Sequence, residues 1–529
     1  MSLGTRISRA WAAWKGAPAA ARSLPPAIPR AAPLVVVRTD PYAGLYGESA
    51  GGYAGAAVSR LTASLSAWSG SVNADLDNAL PILRARGRQL AANSEHGKRF
   101  LSLIATNLVG RAGPTLQVRA LKDQRNPDAP ASLDTAANAA VEAAWARWSR
   151  RADITGRQTL AALLRTVVRA VAREGEALVK VVRDRRLPGG IALQLLDIDR
   201  LDEALNHRIL DNGNTLRQGV EIDATGRPVA YWVRTAHPGD NYAQQAPGWD
   251  RIPAGDCFHL FLTDRPEQVR GVTWFHAVIR RGWTIHQFEE AAVTAAQIGA
   301  SKIATLERTE EAADAIAGMA DAQVGQQLQF KAEAGEVLEL PPGYSLNSWN
   351  PEYPHANFDS FLKACLRGLA AGLDVAAHNL TGDMTDVNFS SARIAELAER
   401  EMWMVLQDWL IESLLLPLYA DWLALALLRG DIVFPVSGKA LPADKLQKFL
   451  DAAKFQGRRW SWVDPAKEET ANANAIANRT TSRQRLAAEQ GEEWDDILAE
   501  LADEEARLKD AGLLPEPVKP PVASVAPTS

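Results

Sequence analysis

Leu160, Leu163, Leu164, Val167, Val168 and Val171 recur at i, i+3, i+4, i+7, i+8 and i+11, so residues 156–173 are predicted to form a helix with one buried stripe. After Gly175 the period changes to two. The runs "ALVKVVRD", "IALQLLDID", "GVEID", "PVAYWVR" and "CFHLFL" read as strands, with turns at Pro188-Gly189-Gly190 and through Thr225 and Gly226. Together they predict an antiparallel sheet packed on helices. Upstream, Leu76, Leu80, Leu83 and Leu90, then Phe100, Leu103 and Ile104, keep helical spacing, which predicts two helices with Gly110 ending the second.

Helix is expected again from Val272 to about Leu306, where "AAVTAAQIGASKIATL" is built of small residues that let helices approach closely. A β-rich piece, "QQLQFKAEAGEVLELPPGYSLNSW", follows and is closed by Pro351 and Pro354. Helix resumes at Phe358, pauses in a polar stretch at His378 to Ser390, and continues from Ser391 to about Leu428. An acidic helix-prone run, Glu489 to Asp510, precedes a Pro-rich tail. The fold class this predicts is α+β, mainly α.

The composition narrows what such a body does. With 529 residues and 47% hydrophobic side chains the chain is globular, but a formal charge of -5 argues against a protein whose main task is gripping nucleic acid, because that grip comes from Lys and Arg on phosphates. The two cysteines, Cys257 and Cys365, have no CxxC or His-paired spacing, so neither a disulfide framework nor a zinc site is indicated. Trp409 to Leu428 is apolar enough to raise a membrane span, yet Glu412, Pro417 and Asp421 inside it favour a buried helix. Residues 1–70, rich in Ala, Gly, Pro and Ser, read as a disordered basic arm: Arg6, Arg9, Lys15, Arg22, Arg30 and Arg38 precede the first acid, Asp40. A transit peptide shares that composition, but Pro25, Pro26, Pro29 and Pro33 favour the flexible arm.

No motif for catalysis stands out. GxxxxGK[ST], HExxH and GxSxG are absent from the sequence, and "GGYAG" at Gly51 to Gly55 reads as a linker. His276 and His286 fall two to three helical turns apart, too far to share a metal unaided. Asp197, Asp199, Asp202 and Glu203 form the densest acidic cluster outside the C-terminal helix. They read as a solvated strand end that caps a helix; the competing reading is a soluble metal-dependent hydrolase using Asp197, Asp199 and Asp202. The 16 Trp residues are spread along the chain and suit core or interface packing.

Several blocks, in order from about Asn73 to Gly512, resemble lambda-type bacteriophage portal proteins: "ADLDNALPILRARGRQLAANSEHGKR", "REGEALVKVV", "LLDIDRL", "GVEIDATGRPVAYWV", "HLFLTDRPEQVRGVTW", "PPGYSLNSWNPEYPHANFDSF", "AAGLDVAAHNLTGDMTDVNFSSAR" and "WSWVDPAKEETANANAI". RPEQVRG and the stretch from LTGD to NFSSAR carry most of the specificity. The resemblance implies a non-enzymatic homo-oligomeric ring of about twelve subunits at one capsid vertex, without cofactor, metal or membrane. Double-stranded DNA would pass through its channel weakly bound. The implied partners are the terminase large subunit, major capsid and scaffold proteins and a head-completion protein, with assembly in the bacterial host cytoplasm and residence in the virion.

The implied anatomy is a wing at 71–271, stem helices at 272–306 and 355–377, a clip at 307–354, a channel loop at 378–390, a long wing helix and return at 391–470, a crown-like helical region at 471–510 and a disordered tail at 511–529. The polar pause would then be the channel loop, with Thr381, Asp383, Met384, Thr385 and Asp386 beside the DNA. It holds two acids and no Lys or Arg, which would repel phosphates and keep DNA centred. Asn388, Ser390 and Ser391 would cap the following helix, and both roles can hold together. Arg265, Pro266, Gln268, Arg270 and Gly271 of RPEQVRG are motif residues to which sequence assigns no role. The first 70 residues match no family motif, and Phe389 stands where the family often has Tyr.

Overall fold

The computed structural model describes residues 70–123, 132–240, 248–300, 304–308, 344–348, 358–385, 387–460, 465–490, 494–511 and 513. The expected arm up to residue 69, most of the expected clip, Asp386 and nearly all of the Pro-rich tail lie outside them. Two compact units emerge: one from Met1–Arg84, Leu101–Thr273 and Val387–Ser529, the other from Ala85–Phe100 and Trp274–Asp386.

In chain order the elements used below are α1 (Val72–Asn93), α2 (Glu95–Ile104), β1 (Thr115–Val118), α3 (Thr135–Ser149), α4 (Leu160–Glu174), β2 (Glu176–Arg183), β3 (Ile191–Leu196), β4 (Arg208–Ile209), β5 (Thr215–Arg217), β6 (Val220–Ile222), β7 (Pro228–Arg234), β8 (Trp249–Pro253), β9 (Cys257–Phe261), α5 (Ile279–Ala300), β10 (Ala304–Arg308), β11 (Tyr344–Ser348), α6 (Phe358–Ala371), α7 (Ala377–Thr381), α8 (Phe389–Leu410), α9 (Leu416–Arg429) and β12 (Ala453–Gln456). A π-helical turn, Ile411–Leu415, joins α8 to α9.

In the first unit α4 starts where Thr159 Oγ1 accepts from Ala162 N at 3.3 Å, and it ends at Gly175, whose φ of 97° few other residues adopt. Its stripe of Leu163, Leu164, Val167, Val168 and Val171 is buried. The strands do not make the single sheet that sequence predicts. They form two, an antiparallel β3-β2-β9 sheet and a β4-β5-β6-β7-β8 meander. The 3-10 turn Ile198–Arg200, where Asp197 accepts from Asp199 N, stops β3 before it can continue into the meander. The sheets still share one core: Leu178 and Leu196 pack with Ile198, Leu201, Val220, Tyr231, Val233, Ile252 and Cys257. Alternating strand patterns cannot distinguish one sheet from two that bury a common face.

The apolar run at 409–428 spends its hydrophobic face on this unit. Leu410, Leu414, Leu415, Leu418, Tyr419 and Trp422 are buried, and Asp421 pairs with Arg183 at 2.8 Å. Trp145 lies edge-on to Trp422, Tyr419 and Phe455 at 5.0, 5.7 and 5.6 Å, and Trp148 Nε1 donates to Ile191 O at 2.9 Å. These indoles are core packing, and that of Trp148 has its polar edge satisfied. A further pairing, β1 with β12, aligns Leu116 with Phe455; the runs that form it are only four residues each, too short for their alternation to stand out.

In the second unit the helix begins at Ile279, later than the predicted Val272, because residues around Phe275 make an irregular turn. Close helix approach depends on α6 glycines: a Cβ on Gly368 would fall 1.4 Å from Arg281 Nη1, and one on Gly372 would fall 2.5 Å from Val278 Cγ1. Phe288 stacks on Phe358 at 5.4 Å. Chain that would continue the helix at 304–306 instead lies in β10, antiparallel to β11.

Candidate functional site

RPEQVRG leads from β9 back into the first unit's interior. Gln268 fixes the turn: its Oε1 accepts from Asp264 N and Arg265 N at 3.0 and 3.2 Å, while its Nε2 donates to Arg270 O at 2.8 Å. Glu267 takes a left-handed backbone, φ 63°, and its carbonyl accepts from Asn73 Nδ2 at 2.8 Å. Arg265 stays at the surface and donates to Asp75 Oδ2 and Gly70 O, both at 2.9 Å. Arg270 turns inward and is fully buried.

Its partner is Glu176, the first residue of β2 and equally buried. Arg270 Nε donates to Glu176 Oε2 at 2.9 Å, and Arg270 Nη2 lies 2.7 Å from Oε1. Gly271 N donates to Oε2 at 3.1 Å, His259 Nε2 lies 2.8 Å from the same oxygen, and Arg84 Nη2 donates to Oε1 at 3.3 Å. Arg84 reaches on to Asp199 at 2.7 Å, and Arg270 Nη1 donates to Gln218 O at 2.6 Å. Burial alone would push the Glu176 carboxyl up, but the Arg270 charge and the His259 contact outweigh it and hold the group far below the usual carboxylate range. Removing one partner from such a buried pair costs about 3–5 kcal/mol, since the other charge is stranded.

Backbone geometry admits this node only with glycine at two points. A Cβ on Gly271 would lie 2.1 Å from Gly175 O, and one on Gly175 would lie 2.5 Å from Val272 C. Glu176, Arg84 and His259 were not singled out from sequence. The available signal was an acid heading the largely apolar strand "EALVKVV", whose other charge, Lys180, is basic.

The polar pause is tightly stitched. Gly382 closes α7 at φ 77° and donates to His378 O at 2.8 Å. Thr381 Oγ1 donates to Ala377 O and accepts from Asp383 N at 3.1 Å; Asp383 Oδ1 accepts from Thr385 N and Thr385 Oγ1 at 2.9 and 2.6 Å. Those Thr385 bonds hold the Asp383 carboxyl below its ordinary range, with a smaller contribution from Lys363, 3.9 Å away. Met384 is exposed.

α8 begins at Phe389, two residues before the predicted start. Asn388, extended at φ -89° and ψ 160°, is its cap, and its Oδ1 accepts from Ser391 N at 2.8 Å. Ser391 Oγ donates back to Asn388 O at 3.0 Å, whereas Ser390 is already inside the first turn and is not the cap residue. As a residue of the first helical turn, Ser390 carries one of the N–H groups that a helix start leaves free, rather than supplying the cap.

The acidic cluster separates. Among the described residues, one set of side chains converges closely enough to hold a cation: Asp197, Asp199 and His237. His237, unnoticed in the sequence, lies 3.6 Å from each acid, and Asp199 is engaged by Arg84. Asp202 turns away from it and accepts from Arg234 Nη2 and Trp249 Nε1, both at 2.7 Å. The triad of aspartates that a metal-dependent hydrolase would need is not assembled.

The first unit is thus locked by a buried ionic node, and its three aspartates do not converge on one site. Residues 58–407 match the model of the family described as phage portal protein, lambda family. A probable portal protein of Halomonas phage phiHAP-1 is 31% identical over 466 residues, covering 86% of this chain and 87% of that one. Portal protein B of Escherichia phage lambda is 22% identical, covering 71% and 74% of the two chains. A structure of the neck of an empty GTA particle covers 78% of this chain and 94% of its own at 14% identity, with a TM-score of 0.41, too loose a likeness to carry weight. The chain belongs to the lambda family of phage portal proteins. Its function is that of a phage portal, and the hydrolase reading is not supported.

Proposed function

We propose that about twelve copies of this chain close into a ring at one capsid vertex, through which DNA is packaged and later leaves. The observation that carries the proposal is the family match over residues 58–407, which spans both the node and the loop. The subunit catalyses nothing itself; it docks the terminase large subunit and later a head-completion protein, and it assembles with capsid and scaffold proteins in the host cytoplasm. Residues 71–271 and 391–470 serve as wing, 272–306 and 355–377 as stem, 307–354 as clip, and 471–510 as crown. Arg265, Gln268, Arg270 and Gly271 hold the wing together rather than meet a partner.

Thr381, Asp383, Met384, Thr385 and Asp386 form the segment beside the DNA. In support, Met384 is exposed and the Asp383 carboxyl is stabilised in its charged form, so the segment offers phosphates a surface to slide past. Particle mass and negative-stain imaging, with scaffold and capsid proteins present, test the ring. Twelve copies of a 57.3 kDa chain give a particle of roughly 690 kDa with a central hole. A stable dimer or tetramer without a hole would overturn it.

A further inference from the structure

Among the described residues, two surfaces carry charges without an ion pair beside exposed apolar groups. The first is a groove of about 420 Å³ in the second unit, between the end of α1 and the start of α5. Leu90 and Gly282 line it with His286, Trp283 is half exposed, and Arg86 and Arg280 flank it. Both arginines are exposed, and neither has an ion pair among the described residues. The second surface is a stripe on the first unit. Ile394, Leu397, Glu401, Val405, Asp408, Glu412 and Leu416 are all exposed at steps of three or four residues, so they share one side of α8 and its continuation over about 33 Å. Ile394 and Val405 are 70% and 67% exposed, although the opposite side of the same helix is core. Glu401, Asp408 and Glu412 have no ion pair among the described residues.

We infer that the acidic, aliphatic stripe of one copy docks against the Arg86, Arg280 and Trp283 groove of the next. The signs are complementary, with three acids facing two guanidiniums, and the aliphatic side chains between the acids suit an indole face. Because the two surfaces differ, the contact is head-to-tail and closes by rotation rather than by pairing. The inference rests on the ring reading above and adds the surfaces that make the ring.

The test uses the full chain with scaffold and capsid proteins, reading the concentration at which half of it is in the high-mass ring. Arg86→Glu/Arg280→Glu and Glu401→Lys/Glu412→Lys are each expected to raise that concentration at least about tenfold, and the four changes together to recover most of the loss. Melting curves establish that the variants are folded. If a reversal unfolds the chain, the neutral changes Arg280→Gln and Glu412→Gln report the same coupling, each weakening assembly and the pair weakening it no further. Assembly of either reversal at the unmodified concentration, or no recovery in the combined variant, overturns the contact while leaving the ring intact. So does an Arg86→Glu/Arg280→Glu ring of normal mass that loses DNA at lower salt, which assigns the groove to phosphates. If the unmodified chain forms no ring, the portal-ring reading fails and the contact falls with it.

Discussion

Glu176 and Asp383 are both carboxylates that accept several hydrogen bonds and stay charged below the ordinary pH range, yet they do different work. Glu176 is buried and its hydrogen-bond partners come from three distant segments, at Arg84, at His259 and at Arg270-Gly271. Asp383 is exposed, and its hydrogen bonds come from Thr385, two residues on. A buried charge joins remote parts of the chain because nothing else can solvate it, while an exposed one only shapes its own turn.

The largest test of that contrast is Arg270→Met, expected to cost about 3–5 kcal/mol in urea unfolding, with Glu176→Leu added to it restoring much of the loss. A single variant that unfolds like the unmodified chain would make the node incidental. Gly271→Ala follows at about 1–3 kcal/mol, because its Cβ meets the backbone oxygen of Gly175, which the end of α4 holds in place.

A pH series sharpens the comparison through Glu221, another buried carboxylate. Burial would raise it, but two bonds from Arg251, at 2.7 and 2.8 Å, and others from Asn212 and Asn214 bring it down to about 2. Its folded pKa lies below the ordinary 4.5, so its stabilisation is complete above about pH 4.5 and is lost as the pH falls toward 2. The gap in melting temperature between the unmodified chain and Glu221→Gln should therefore close across that window; a gap independent of pH would refute the assignment. The smallest effects belong to the loop. Asn388→Ala should cost about 1 kcal/mol and Asn388→Asp almost nothing, both by thermal unfolding, whereas Asp383→Asn should leave the melting temperature unchanged.

Local pattern made α4, β2, β7 and β9 legible, because their apolar periods are long and bounded by Gly or Pro. It also located the polar pause, though the cap fell to Asn388 alone. Pattern could not show that Asp202 leaves its neighbours for Arg234 and Trp249, or that His237 joins Asp197 and Asp199, because those partners lie more than thirty residues further along the chain. RPEQVRG stood out only through family resemblance. Its role was hidden because the residue it neutralises lies 94 positions away.

That separation has a consequence for synthesis. A chain still on the ribosome reaches Glu176 long before Arg270, and β1 waits for a partner whose Phe455 is made some 340 residues after Leu116. At about 5–20 residues per second the delay is roughly 20–70 s. Until Arg270 is made the first unit has a charge it cannot bury, and for the whole of the delay it has a strand edge it cannot close, while residues 274–386 are translated as an insertion. The emerging subunit is thus exposed to chaperones and proteases until the residues around Phe455 are made, and products truncated before them should be cleared rather than assembled.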